Sequence, residues 1–393
     1  MEAQSYLERR HTLANGVVPF RPERMKLLLS YHYFKKSNLT ELMAKYFGDK
    51  TPTIFIDSGA FSAATQGVEI DINEYCDFLK QYESMLTIYA NLDVIGDPQK
   101  TYDNQKVMEL AGLRPTPVFH TGESLDWLKR YIDEGYDYIA LGGMVPYSKD
   151  KKALVSWMSA CFNEAEKHKV KINYHGFGMT NWDLMRAYPW KSVDSSSWCS
   201  GFRYGQVYLF DDKIGRFYQV GLRDIKGSFK FKRILEGIGF SPNDIALDAE
   251  FDRVKVATIS ALAFMKAEEF LNRQNRGSLR LSSAAIPSVH GDGQQQSPRE
   301  DGARQPQQVA AGDRGSVRQT ANGLILSADK CNGESSSRPR SACDGGRSGS
   351  NNETDVYIVS LPPKVSEETS ESKFVGGHQM FDAFSKIVGG LNE

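Results

Sequence analysis

The chain has 393 residues, 40% of them hydrophobic, and a formal net charge of −1. That balance describes an ordinary globular protein and excludes one that holds polyanions by bulk charge, so any nucleic-acid partner must be met by a local patch. No run approaches the roughly 18 apolar residues of a membrane span, and the N-terminus has no apolar core behind a basic start, so neither a membrane span nor a secretory leader is expected.

Short β-rich runs then alternate with longer amphipathic stretches. Lys26–Tyr33, Thr53–Asp57, Thr87–Asp93, Thr116–His120, Tyr138–Leu141, Lys171–His175 and Ser192–Asp194 read as strands, with an eighth near Gln206–Phe210. Between them, Asn73–Met85 sets Tyr75, Phe78, Leu79 and Tyr82 at helical spacing. Leu125, Leu128 and Ile132 do the same before Gly135, a helix stop, and Asp150–Lys169 reads as a further helix. Strands alternating with crossover helices predict an α/β protein with a parallel sheet. Seven or eight such units predict a TIM-type (β/α)8 barrel over residues 1–272. An open doubly wound sheet is the alternative that strand count leaves standing.

The composition changes over residues 273–353, which are rich in Ser, Gly, Gln and Arg and include Gln294-Gln295-Gln296 and Ser335-Ser336-Ser337. Such a stretch buries too little apolar surface to offset the entropy of ordering, so a disordered low-complexity linker is predicted. Order is expected to resume at Asp355–Leu361 and in a helix around His378–Val388, giving a short C-terminal element over 354–393. The five cysteines, Cys76, Cys161, Cys199, Cys331 and Cys343, form no CxxC or CxC pair. Neither a disulfide framework nor a zinc knuckle is signalled, and a reducing cytoplasmic compartment is expected.

In a β/α barrel the chemistry collects at the carboxyl ends of the strands. There the chain places Asp57-Ser58-Gly59-Ala60-Phe61-Ser62, Asn91-Leu92-Asp93, His120-Thr121-Gly122, Gly142-Gly143-Met144, His175-Gly176-Phe177-Gly178 and Asp194 before three serines. Each has a plain structural reading: an Asx turn for Asp57, a satisfied core histidine for His120, relief of crowding for Gly142-Gly143. Three acids at three strand ends, with no Lys or Arg flanking them in sequence, point instead to a working site. Further on, residues 202–233 hold eight basic residues, Arg203, Lys213, Arg216, Arg223, Lys226, Lys230, Lys232 and Arg233, against three acidic ones, with aromatics interleaved. Two readings stand: a nucleic-acid patch of phosphate-holding cations and base-stacking rings, or core aromatics beneath a solvated basic face.

Four of these segments, in this order, resemble the tRNA-guanine transglycosylase superfamily: Asp57-Ser58-Gly59-Ala60-Phe61, Ala140-Leu141-Gly142-Gly143-Met144, Gly176-Phe177-Gly178 and Ser192-Val193-Asp194-Ser195. The resemblance covers roughly residues 26–240. It implies Asp194 as nucleophile and Asp57 as general acid/base, with no cofactor required. It also implies a base pocket in which Ser58 belongs to the Asp57 turn and Phe61 stacks. Asp93 would pair with the guanine-like edge there, and the Gly142, Gly143, Met144 backbone would touch the carbonyl side. His120 stands where the family has a base-binding glutamine, and His175 where it has an apolar residue on the far face of the base. The family's zinc site after the nucleophile is missing, since Cys199 stands alone. That departure, with the Asp-Ser-Gly-Ala-Phe-Ser turn, is similar to the viral-type DNA 7-deazaguanine transglycosylase (DpdA) branch. The branch implies DNA and a 7-deazaguanine base as partners, with tRNA the alternative, and the chain could pair as a homodimer. A non-catalytic paralogue subunit and an unrelated barrel enzyme on a sugar phosphate are the competing expectations; the first fits poorly with a retained Asp194.

Overall fold

The computed structural model describes residues 20, 24–50, 52–144, 147, 150–199, 205–222, 229–245, 252–277, 353–360, 381–385 and 387. Eight strands form one parallel sheet: β1 (Lys26–Ser30), β2 (Thr53–Asp57), β3 (Ile88–Tyr89), β4 (Val118–His120), β5 (Tyr138–Gly142), β6 (Asn173–Gly176), β7 (Ser192–Ser195) and β10 (Asp355–Ser360). Their order is β3-β2-β1-β10-β7-β6-β5-β4. The sheet curls, and its two edges meet at a parallel bridge between Ala90 and Thr116. There Asn91 N–H donates to Thr116 O at 2.9 Å and Thr116 N–H to Tyr89 O at 2.8 Å. The order, the curl and the helices after the strands are those of a (β/α)8-like fold.

The strand sequences explain this layering. Lys26–Ser30 (KLLLS), Thr53–Asp57 (TIFID) and Tyr138–Gly142 (YIALG) are nearly continuous apolar runs, as strands covered on both faces must be. Alternate residues Leu28, Phe55, Ala90, Val118, Ala140 and Tyr357 pack together as a small inner core, while Leu27, Leu29, Ile54 and Ile56 turn outward into a larger core with the helices. The helices start where the sequence supplies caps: Asp71 accepts from Asn73 and Glu74 N–H ahead of Ile72–Tyr82, and Ser124 accepts from Asp126 N–H ahead of Leu125–Asp133. Gly135 follows with φ +88°, the left-handed stop expected of it.

Two placements differ from the sequence reading. The eighth strand of the sheet is not Gln206–Phe210 but β10, which lies beyond the low-complexity stretch and pairs with β7 on one side and β1 on the other. The segment Gln206–Asp211 is indeed a strand (β8), but it pairs antiparallel with β9 (Arg216–Gly221) in a separate hairpin. A strand signal gives the local conformation and leaves the partner open, because pairing is a non-local choice. Second, a helix, Arg253–Gly277, runs into the range expected to be disordered, and its buried face from Val256 to Ala267 packs against β8 and the main core. The rest of that range, 278–352, lies outside the described residues, and of the expected C-terminal helix residues 381–385 are helical. Among the described residues no helix is long and apolar enough to cross a membrane.

Candidate active site at the carboxyl ends of the strands

The sheet brings the three acids to one rim. Asp57 is the last residue of β2, Asp194 stands in β7, and Asp93 follows β3 by a short loop. Asp57 is held by its own turn: Gly59 N–H donates to its Oδ2 at 3.1 Å. Gly59 sits at φ +77°, and a Cβ there would run into Ser30 Oγ and lie 2.6 Å from His32 Cβ, so only glycine fits. The Asx turn read from the sequence is therefore present, and it presents the carboxyl rather than using it up.

Burial raises the Asp57 carboxyl from its ordinary 3.8 to about 8, and the charges of Asp93 and Asp194 add to the shift. Burial, helped by the two neighbouring carboxylates, leaves it protonated at neutral pH. Among the described residues no Lys or Arg pairs with any of the three acids. Tyr75, from the helix Ile72–Tyr82, lies beneath them, donating its hydroxyl to Ala90 O at 2.9 Å. Burial pushes that phenol well above its usual range, with Asp57 and Asp93 adding to it.

Asp194 is buried, and Gly178 N–H donates to its Oδ1 at 2.8 Å. The Gly-Phe-Gly turn after β6 thus positions the acid on β7. Below it, His175 is fully buried, its ring 4.6 Å from both Phe55 and Phe177, with Nε2 3.3 Å from Asp194 Oδ1. Its Nδ1 lies 2.6 Å from Ser192 Oγ, which is 2.5 Å from the Tyr138 hydroxyl. His175 is thus part of the sheet's interior, tied by a polar chain through Ser192 to Tyr138.

Asp93 is gripped from two sides: Ser58 Oγ donates to its Oδ1 at 2.8 Å, and His120 Nε2 lies 2.9 Å from its Oδ2. The other ring nitrogen, Nδ1, is 3.1 Å from Glu123 Oε1, and Glu123 Oε2 accepts from the His120 backbone N–H. Burial alone would lower the His120 pKa, but hydrogen bonds to Asp93 and Glu123 outweigh it and raise the ring to about 9. Gly142 leaves room for this ring, since a Cβ there would stand 2.8 Å from His120 Cδ2. Relief of crowding is therefore a real part of the Gly142-Gly143 pair; Gly143 turns the chain away at φ +72°, and Met144 is buried beyond it. Phe61, by contrast, is exposed on the first turn of the helix Ala60–Thr65.

Glu123 was not singled out from the sequence. Its only signal is its place three residues after His120, a spacing that also occurs by chance. Ser192 and Tyr138 were invisible as site residues for the same reason.

The basic aromatic segment divides. Phe210 and Phe231 are buried, while Tyr208 and Phe217 pack on each other and on Phe264. Those rings are core. Lys213, Arg216 and Lys230 are exposed, as is Phe229, whereas Arg233 is spent on Asp211 and Asp212. Arg203, Arg223 and Lys226 lie outside the described residues. Among the described residues no cluster of His, Cys, Asp or Glu has the arrangement of a metal site.

No family model matches the chain, and neither a curated protein nor a solved structure does. The fold and the acid cluster at its rim therefore carry the functional reading by themselves.

Proposed function

We propose that the chain is a transglycosylase, a TIM-type (β/α)8 barrel that exchanges guanine in DNA for a 7-deazaguanine through a covalent aspartyl–sugar intermediate. One observation carries this reading: Asp57 and Asp194 share a rim, and Asp57 holds its proton to about pH 8. A group with its pKa near working pH is suited to give a proton and take it back.

In the first half-reaction Asp194 attacks C1′ of the target nucleotide. The C1′–N9 bond breaks, its electron pair goes to guanine, and Asp57 supplies the proton that lets the base leave. In the second, N9 of the incoming 7-deazaguanine attacks C1′, its proton passes to Asp57, and the ester bond to Asp194 breaks. This is the two-carboxylate logic of retaining glycosidases with a base in place of water. Gly178 N–H fixes Asp194 through Oδ1, which leaves Oδ2 to act as the nucleophilic oxygen. Exposed Phe61 offers a stacking face, Asp93 with Ser58 an acceptor edge, and the Gly142–Met144 backbone a place for the carbonyl side of the base. His175, buried below Asp194, supports the nucleophile rather than stacking on a base.

Reaching C1′ requires a base turned out of a duplex or a single strand. Exposed Lys213, Arg216 and Lys230 would meet its phosphates, together with Arg203, Arg223 and Lys226. Affinity for nucleic acid should then fall steeply with salt. The deciding experiment incubates DNA and tRNA separately with a labelled 7-deazaguanine and the protein. Label is expected in DNA, and Asp194→Asn should abolish it. Label in tRNA alone would move the reading to the tRNA enzymes, and exchange that survives in Asp194→Asn would overturn the nucleophile.

A further inference from the structure

The exchange chemistry uses Asp93 and Ser58 but gives no part to Glu123 and His120, which are joined to them in one polar assembly running from Glu123 through His120 to Asp93 and Ser58. Glu123 holds His120 twice, at the backbone N–H and at Nδ1, both at 3.1 Å. His120 in turn places Nε2 2.9 Å from Asp93 Oδ2, and buried Ser58 donates to Oδ1 at 2.8 Å. The side chains of Glu123 and His120 are each only 7% exposed and that of Asp93 12%, so the contacts are made largely out of water.

A ring with a carboxylate oxygen at each nitrogen donates from both, because a bare nitrogen lone pair facing a carboxylate is repulsive. His120 is then an imidazolium, in keeping with its raised pKa. Neither of its N–H groups is left for a bound base, so its effect on a ligand must pass through Asp93. Gly142, which has no Cβ to press on the ring, and Gly143, whose positive φ carries the chain off, leave the ring in this one seat.

The consequence falls on Asp93. Each of its oxygens accepts one hydrogen bond and keeps a second lone pair. With Ser58 O–H on one oxygen and a His120 N–H on the other, the remaining lone pairs are left to accept from a ligand. A His120 that turned a bare nitrogen to Asp93 would leave that oxygen unheld.

We infer that Glu123 is a positioning residue that, acting through His120, holds the Asp93 carboxylate in place and so sets how tightly the site binds a base presenting a ring N–H beside an exocyclic amino group. The base-binding half of this inference rests on the base-exchange reading; the Glu123–His120 half does not.

The test uses the full chain and Glu123→Gln. Nitrogen-15 spectra of histidine side chains, with His120 assigned by its absence in His120→Gln, report the ring directly. The titratable groups facing the ring are Asp93 and Glu123 in contact, with Asp57 beyond Asp93. At pH 7.5 the wild-type ring should be doubly protonated, and Glu123→Gln should lower its midpoint by one pH unit or more. In parallel, equilibrium dialysis with labelled guanine and hypoxanthine, which lacks the amino group, measures selectivity. Guanine affinity should fall about 10- to 100-fold in Glu123→Gln, the scale of a lost charge-assisted hydrogen bond, with a smaller change for hypoxanthine. A neutral wild-type ring, or an unchanged midpoint and ratio in the variant, overturns the inference. A wild type that binds neither base overturns the base-exchange reading, and the spectra still decide the Glu123–His120 half. Should Glu123→Gln fail to fold, the wild-type spectrum and the wild-type guanine-to-hypoxanthine ratio decide.

Discussion

Replacing Asp57 with Asn should change how the stability of the whole protein depends on pH. Unfolded, this carboxyl ionises at its ordinary 3.8; folded, it holds its proton to about 8. A native state that binds the proton more tightly is favoured at low pH, so the contribution is complete below the unfolded value. It is lost as pH rises towards the folded one, at about 1.4 kcal/mol per pH unit. By pH 7 the wild type should have given up on the order of 4 kcal/mol, levelling off above about pH 8. That figure is a ceiling, because the residue is half-buried and water screens part of the effect. Asn carries no such titration, and its Oδ1 still accepts from Gly59 N–H. Urea denaturation of both proteins at intervals between pH 5 and pH 9 gives the difference curve. His120 also sheds stability as pH rises from 6.5 towards about 9, but it does so in both proteins and cancels in the difference. The variant should gain on the wild type steadily from pH 5 to pH 8. Parallel curves would mean that Asp57 is an ordinary ionised carboxylate, and the acid/base assignment would go with them.

Three other perturbations have definite expected results. Gly59→Ala forces a side chain into a left-handed position already occupied by Ser30 and His32; a loss of at least about 1–3 kcal/mol in thermal or urea melts is expected, with the Asp57 turn displaced. Ser192→Ala strands His175 Nδ1 inside the sheet and takes one partner from the Tyr138 hydroxyl; a loss of about 1–3 kcal/mol is expected, whereas a melt within about 0.5 kcal/mol of wild type would mean the chain is not formed. Deleting residues 278–352 and joining the ends with a short Gly/Ser linker should leave the fold intact. Thr354 N–H donates to Asn272 Oδ1 at 2.7 Å, and Lys26 pairs with both Glu268 and Asp355, so the two flanks are already side by side. A shorter loop lowers the closure cost by about 0.6 kcal/mol per halving of its length, so the deletion should not destabilise the fold, and an insoluble or unfolded product would refute this.

Where the candidate residues stand was largely legible in the sequence because those signals are local. An apolar run that ends in an acid, such as Ile54-Phe55-Ile56-Asp57, gives both the buried strand and the residue that emerges from it. Ser192-Val193-Asp194 did the same for β7, and the helices between strands were set by their spacing and caps. What the sequence left open depends on which elements meet. The hydrophobic pattern of Gln206–Asp211 suits a strand in a hairpin as well as one in the parallel sheet, and β10 takes the eighth place because its backbone can pair with β1 and β7 at once. That His120 stands between two carboxylates, that His175 lies buried beside Asp194, and that Glu123 reaches the rim at all were decided only when folding brought these groups together away from water. Charge state and burial are properties of neighbours, and for these residues most of the deciding neighbours are remote in the chain.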